Sequence, residues 1–264
     1  MKNTDLVFIN DLSKLNREIS GMTIFPNEKI IYAVNDSGND NTIFQLDLKG
    51  KIKKEIRIPN TTNKDWEDLA YDHENNLYVG DFGNNNNDRK DLMIYKISSI
   101  SSNPMASEIS FELEDQKKFP PKKKERNFDI EAMIYWNDNL YLFSKNRSAK
   151  FKGVTKLYKI PARPGKHIAK LISSFETCND SKDCFVSGAA INSDGTKIVL
   201  LTYNKLFVLS DYKGDSFFEG TINKIKLNHY SQKEGICFKN DNTLLITDEG
   251  SGKAAGNLYE YSLD

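Results

Sequence analysis

The sequence is poor in the residues that usually announce a chemistry. Lys and Arg number 37 and Asp and Glu 37, so the formal net charge is zero. That balance supplies no whole-surface attraction for nucleic acid or an anionic membrane, and neither is expected as a partner. No apolar run approaches the roughly 20 residues that cross a bilayer as a helix, so no membrane span is expected. The opening "MKNTDLVFINDLSK" lacks the apolar centre of a secretory leader. A complete chain of this kind belongs in the cytoplasm; one whose leader has been removed belongs in the periplasm or outside the cell.

Nucleophiles and soft metal ligands are scarce too. The three histidines (His73, His167, His229) and three cysteines are scattered and form no zinc-ligand pattern. No "GxSxG" occurs, and no histidine falls where the repeats described below place their polar residues, which argues against a Ser-His-Asp nucleophile. "GSGKAAG" at 250–256 misses the phosphate-loop spacing and follows a strand pattern, so neither a nucleotide nor another organic cofactor is expected. Cys178 and Cys184 lie in the polar loop "TCNDSKDC", where a short disulfide would fit and would imply an oxidising compartment. Cys237 in "GICF" reads as a small buried hydrophobe.

Aromatic residues are plentiful, with 12 Tyr and 15 Phe, and they suit strands. A repeat organises them. Five stretches share one shape: "ISGMTIFPNEKIIYAVNDSG" (19–38), "WEDLAYDHENNLYVGDFG" (66–83), "IEAMIYWNDNLYLFSKN" (130–146), "VSGAAINSDGTKIVLLTY" (186–203) and "KEGICFKNDNTLLITDEG" (233–250). Ser20, Glu67, Glu131, Ser187 and Glu234 are equivalent, at spacings of 47, 64, 56 and 47 residues. Such spacing fits one four-stranded propeller blade per copy. Each copy reads as strand, Asn/Asp/Gly-rich turn and strand. Two more strands follow the first four copies, and one follows the fifth.

The strand missing from the last blade is available as "LVFIND" at 6–11, and its pairing there would close the ring and remove exposed edges. The expected fold is therefore all-β, a single closed β-propeller domain over 1–264. Its blades lie near 20–60, 67–115, 131–176, 187–229 and 234–264 plus 6–11. Five blades are expected, with a sixth inside 85–128 as the alternative.

In a blade the second strand returns to the face where the first begins. This brings the residue before strand one beside the residue after strand two. Glu67 should meet Asp81, Glu234 should meet Asp248, and Glu131 should meet Ser144 and Lys145. Ser20 should lie by Asp36, and Ser187 by Thr202 or Tyr203. Carboxylates crowded round one mouth repel unless a cation or protons compensate. Oxygen ligands of this kind suit calcium, or magnesium as the alternative. Glu67, Asp81, Glu234 and Asp248 are the expected metal ligands. Glu131, Lys145 and Arg147 are the catalytic candidates, with Glu131 as base kept ionised by Lys145. Asp36, Ser187 and Tyr203 are the expected ligand-binding residues. The basic run "QKKFPPKKKERNF" (116–128) and the polar "GNNNNDRK" (83–90) connect strands on this face.

The motifs "DWEDLA…YVGDFGNNNNDRKDLMIYK", "FDIEAM…YLFSKNR" and "KEGICF…LLITDE" resemble bacterial β-propellers of the SdiA-regulated and phytase-like esterase type, often exported. The resemblance extends more remotely to the gluconolactonase and paraoxonase superfamily. It implies a divalent ion, typically calcium, at the channel mouth, with Glu67, Asp81, Glu131, Glu234 and Asp248 in matching positions. Two functions follow. One is a metal-dependent hydrolase of a phosphoester, ester or lactone; the other is a non-catalytic propeller that binds a small ligand, sugar or protein partner. A monomer is expected.

Overall fold

The computed structural model describes residues 5–13, 18–26, 28–250 and 254–263. Asn27, in the turn of the first copy, and Ser251–Lys253 of "GSGKAAG" lie outside them. The chain begins with β1 (Val7–Asp11), and four antiparallel meanders follow. The first is β2 (Ile19–Ile24), β3 (Ile30–Asn35), β4 (Thr42–Asp47) and β5 (Ile52–Arg57). The second is β6 (Trp66–Tyr71), β7 (Leu77–Asp81), β8 (Leu92–Ser98) and β9 (Met105–Leu113). The third is β10 (Asp129–Trp136), β11 (Asn139–Lys145), β12 (Val154–Pro161) and β13 (Gly165–Glu176). The fourth is β14 (Gly188–Ile191), β15 (Ile198–Leu201), β16 (Lys205–Ser210) and β17 (Thr221–Lys226). Finally β18 (Lys233–Asn240), β19 (Thr243–Asp248) and β20 (Asn257–Ser262) form a sheet that β1 completes by pairing antiparallel with β20.

The fold is all-β. The segment 85–128 contributes β8, β9 and one short 3-10 turn at Lys123–Glu125. The second and third meanders join into one eight-stranded sheet through a parallel pairing of β9 with β13. That pairing covers two outer edges that would otherwise stand open.

Local chemistry explains the hairpins. Asn137 and Asp138 both take positive φ (47° and 59°) between β10 and β11, the backbone that a two-residue hairpin of matching twist requires. In the "SDGT" turn Gly195 has φ +70°, and the Trp136 indole lies where a side chain on it would stand.

The first strands β2, β6 and most of β10 and β18 are buried, whereas outer strands such as β5 and β17 are largely exposed. Packing runs in a cycle: β2 lies against β6, β6 against β10, β10 against β14, β14 against β18, and β18 against β2. Five apolar clusters fill the spaces between successive sheets. One joins the last sheet to the first through Leu12, Ile19, Met22, Leu245 and Leu258. Since each sheet shares a core with both neighbours, the starts of the first strands are held at one end of the molecule.

Candidate functional site at the acidic mouth

The repeat position that stands out in the sequence is a β-bulge. The β2–β3 ladder passes from Ile19 to Gly21 and skips Ser20. The β6–β7 ladder skips Glu67, and the β10–β11 ladder skips Glu131. In β18 the register shifts between Lys233 and Ile236, across Glu234 and Gly235. A bulge frees a residue from the alternation of the strand and re-aims its side chain.

The two serines, Ser20 in its bulge and Ser187 just before β14, tie one sheet to the next. Ser20 Oγ donates to the Trp66 carbonyl at 2.7 Å, and Ser187 Oγ to the Lys233 carbonyl at 2.6 Å. The three glutamates meet each other instead. Glu131 accepts from Lys145 Nζ at 2.8 Å and from Arg147 Nη2 at 3.0 Å, and Lys145 lies 3.6 Å from Glu234. Arg147 Nε also donates to Asp129 at 2.6 Å, whose other oxygen accepts from the Asn84 amide at 2.6 Å. Arg147 further bonds Asn85 on the "GNNNN" loop.

Burial raises the Glu131 carboxyl, and Lys145 and Arg147 oppose that shift. Burial depresses Lys145, but Glu131 and Glu234 outweigh it and hold the ammonium charged. Glu67 is only 6% exposed, and no donor among the described residues reaches its carboxylate. Burial, then Glu131, Asp65, Glu234 and Asp129, push its carboxyl well above the usual range. Asp36 is pushed to about 7 by burial, Glu18, Glu234 and Asp65. Glu249 is pushed to about 10 by burial and by Glu234.

The site therefore gathers Glu18, Asp36, Asp65, Glu67, Asp129, Glu131, Glu234 and Glu249 around the cations Lys145 and Arg147, with Arg89 acting on Asp65 from the rim. Tyr203 borders it. Lys145 Nζ stands 6.0 Å from the Tyr203 ring centre and 5.2 Å from that of Phe185, and burial raises the Tyr203 hydroxyl.

Two expected members face elsewhere. Asp248 accepts from the Asn257 amide and side chain and from Tyr259, all at 2.8 Å and all within its own sheet. Its chain neighbour Glu249 is the acid that Glu234 acts on. Asp81 accepts from the amides of Lys64 and Asp65 and pairs with Arg89 at 3.1 Å, so it braces the loop before β6. Ser187 spends its hydroxyl on the next sheet, as described. Sequence reasoning overlooked Asp65, Asp129, Glu18, Glu249 and Phe185. For the first two the signal was present, since "DWE" and "DIE" repeat an acid two residues before the bulged glutamate.

The resemblance to calcium propellers implies an ion at this mouth. Among the described residues, only Cys178, Asp183 and Cys184 form a trio of possible ligands with donor atoms within 4.8 Å of one another. Two of these are joined in a disulfide. Of the expected ligands, Glu67 and Glu234 share the mouth, whereas Asp81 pairs with Arg89 and Asp248 is held within its own sheet.

A family model described as SdiA-regulated matches residues 4–148, more than half of the sequence. The chain belongs to the SdiA-regulated family. This is a β-propeller family, in agreement with the cyclic packing of the sheets. Among solved structures, the PQQ-bound form of aldose sugar dehydrogenase from Streptomyces coelicolor aligns with 10% identity and a TM-score of 0.55. The alignment covers 96% of this chain and 95% of that one, and at such identity it speaks for the fold alone. The β-propeller domain of Cps50 (Swd1) from Myceliophteria thermophila aligns at 11% identity and a TM-score of 0.43, over 93% of this chain and 84% of that one. Comparison with curated proteins gives no match. No helix among the described residues of this SdiA-regulated chain is long and apolar enough to cross a membrane.

Proposed function

We propose that the chain is a single five-bladed propeller that binds a positively charged ligand at its acidic mouth. The cyclic packing of five four-stranded units supports the blade count. The segment 85–128 contributes two strands to the second unit, which supports five blades over six. Glu67 carries the binding reading: it is a buried carboxyl that faces other carboxyls and accepts from no donor among the described residues. Burying such a group without a partner costs free energy, and an incoming cation recovers it. A phosphoester would meet eight carboxyls and only three cations, Arg89, Lys145 and Arg147, so anionic substrates are disfavoured. The disulfide Cys178–Cys184 supports an oxidising compartment, periplasmic or extracellular.

One observation favours a second reading, hydrolysis of a neutral ester or lactone. Burial pushes both carboxyls up, but Glu131 accepts from Lys145 and Arg147 while Glu67 faces other acids, an asymmetry of partners that suits Glu67 as acid and Glu131 as base. In that reading Glu67 donates the proton and Glu131, with Arg147, orients water. Calorimetric titration of the protein with cations, together with turnover assays on an ester and lactone panel, decides between them. Stoichiometric cation binding that Glu67→Gln abolishes, with no turnover, supports the binding protein. Turnover lost in Glu67→Gln supports the hydrolase.

A further inference from the structure

Resting on the binding reading above, the geometry points to the class of the ligand: an organic cation with several N–H donors, a guanidinium or an oligoamine, seated on Glu67 and Asp65 beside Lys145. The protein already holds one such group. The Lys145 ammonium lies 2.8 Å from Glu131 and 3.6 Å from Glu234, and over the rings of Phe185 and Tyr203 at 5.2 and 6.0 Å from their centres. Carboxylates and ring faces together are what a desolvated ammonium requires. Beside it Asp36, Asp65, Glu67 and Glu249 enter no ion pair among the described residues.

Two of these carboxyls converge over bare backbone. A Cβ added to Gly83 would lie 2.2 Å from Glu67 Oε1 and 2.3 Å from Asp65 Oδ2. Glycine at this point of "GDFG" keeps the approach to both oxygens open.

The spacing separates an organic cation from a metal. Calcium draws six to eight oxygens to about 2.3–2.6 Å. No trio of carboxylates among the described residues brings its oxygens within 4.8 Å of one another. A guanidinium carries five N–H donors on a planar fork and reaches acceptors set farther apart, each at about 2.8 Å. The aromatic wall gives the same answer. Phe185, Tyr203 and Tyr230 follow one another with ring centres 4.7 and 6.1 Å apart, and Tyr230 is 57% exposed. That row of rings leads from Lys145 to solvent and suits the alkyl chain of an organic cation, whereas a hydrated metal ion gains nothing from it.

The test is calorimetric titration of the full chain with agmatine, spermidine and a short arginine-containing peptide. Calcium and magnesium chloride serve as comparisons, all at matched ionic strength. Wild type, Glu67→Gln and Gly83→Ala are compared, each first shown to melt cooperatively; Gly83→Ala crowds the two oxygens without removing a charge. One equivalent of agmatine or spermidine should bind the wild type and bind both variants at least tenfold more weakly. Equal binding of the peptide would assign the cation to a polypeptide side chain, and its failure beside strong agmatine binding would assign it to a free small molecule. Binding of calcium or magnesium alone, sensitive to Glu67→Gln, would overturn the organic cation and leave the site standing. If no cation binds, or binding ignores both variants, the site itself falls.

Discussion

Lys145 Nζ stands 2.8 Å from the Glu131 carboxylate, and the two side chains are 4% and 3% exposed. They belong to adjacent strands of one hairpin, where Ile130 faces Ser144 and Asp129 faces Lys145. Removing one member of a buried pair leaves the other without its counter-charge, at a cost of about 3–5 kcal/mol. Because Arg147 also reaches Glu131 at 3.0 Å, Lys145→Met should fall at the lower end, about 3 kcal/mol. The double variant Lys145→Met/Glu131→Leu should recover most of that loss. Urea denaturation of the two single variants and the double completes the cycle; a double variant no more stable than Lys145→Met would contradict a pairwise account.

The same crowding makes stability depend on pH with an unusual sign. Asp36, at about 7, and Glu249, at about 10, hold protons in the folded chain that the unfolded chain releases near 4 and 4.5. Their contribution is fully present below those unfolded values and is lost as pH rises, by about 7 for Asp36 and towards 10 for Glu249. The melting temperature should therefore fall between pH 5 and pH 8.5. Glu249→Gln removes the proton requirement and should melt a few degrees above wild type at pH 8, the shift that about 1 kcal/mol gives in a domain of this size. That advantage should shrink towards pH 5. Melting curves at four pH values check both statements, and a variant gap that widens on acidification would contradict them.

Sequence patterns carry much of this architecture, because the fold is written in short local signals. Alternation and turn residues mark the strands, and "LVFIND" at the start is the strand that β20 lacks. The Glu131–Lys145 contact is readable too, since it needs only a hairpin that returns to its own end. What cannot be read is which of two neighbouring acids faces the mouth. Asp248 and Glu249 adjoin in sequence, and the bulge after Lys233 decides their sides. Asp248 turns to Asn257 and Tyr259, leaving Glu249 to Glu234. Periodicity carries no trace of a bulge, because one extra residue changes no residue type. Phe185 was hidden for another reason: its place beside Lys145 depends on the loop closed by Cys178 and Cys184.

That loop ties stability to the aromatic wall. Cys178 and Cys184 close a ring with a sequence separation of 6, Phe185 follows directly, and Tyr230 Oη donates to the Lys182 carbonyl at 3.0 Å. A ring this small limits the unfolded chain modestly, worth roughly 2 kcal/mol. Replacing both cysteines by serine should lower stability by about that amount. Binding at the mouth should weaken further, since Phe185 and Tyr230 lose their anchor together. Denaturation and titration on the same preparation separate the two effects; unchanged binding would detach the wall from the site.

The bulged repeat position offers the sharpest contrast, because equivalent residues should answer substitution with opposite signs. Ser20 Oγ donates to the Trp66 carbonyl at 2.7 Å across the boundary between two sheets, and both residues are buried. Ser20→Ala deletes that bond and leaves a buried carbonyl short of a partner, a loss of about 1–3 kcal/mol. Glu67 occupies the same position one sheet on and makes no such bond. Its carboxyl must stay protonated against burial and four acidic neighbours, so an amide of equal shape relieves the fold. Glu67→Gln should therefore raise stability at pH 7.5 and lose that gain as the pH approaches 4.5, where the unfolded chain also holds the proton. A stabilised Glu67→Gln beside a destabilised Ser20→Ala would mark the serine as a tie between sheets and the glutamate as a group held for a ligand. Destabilisation of both would return Glu67 to the structural role of its equivalents.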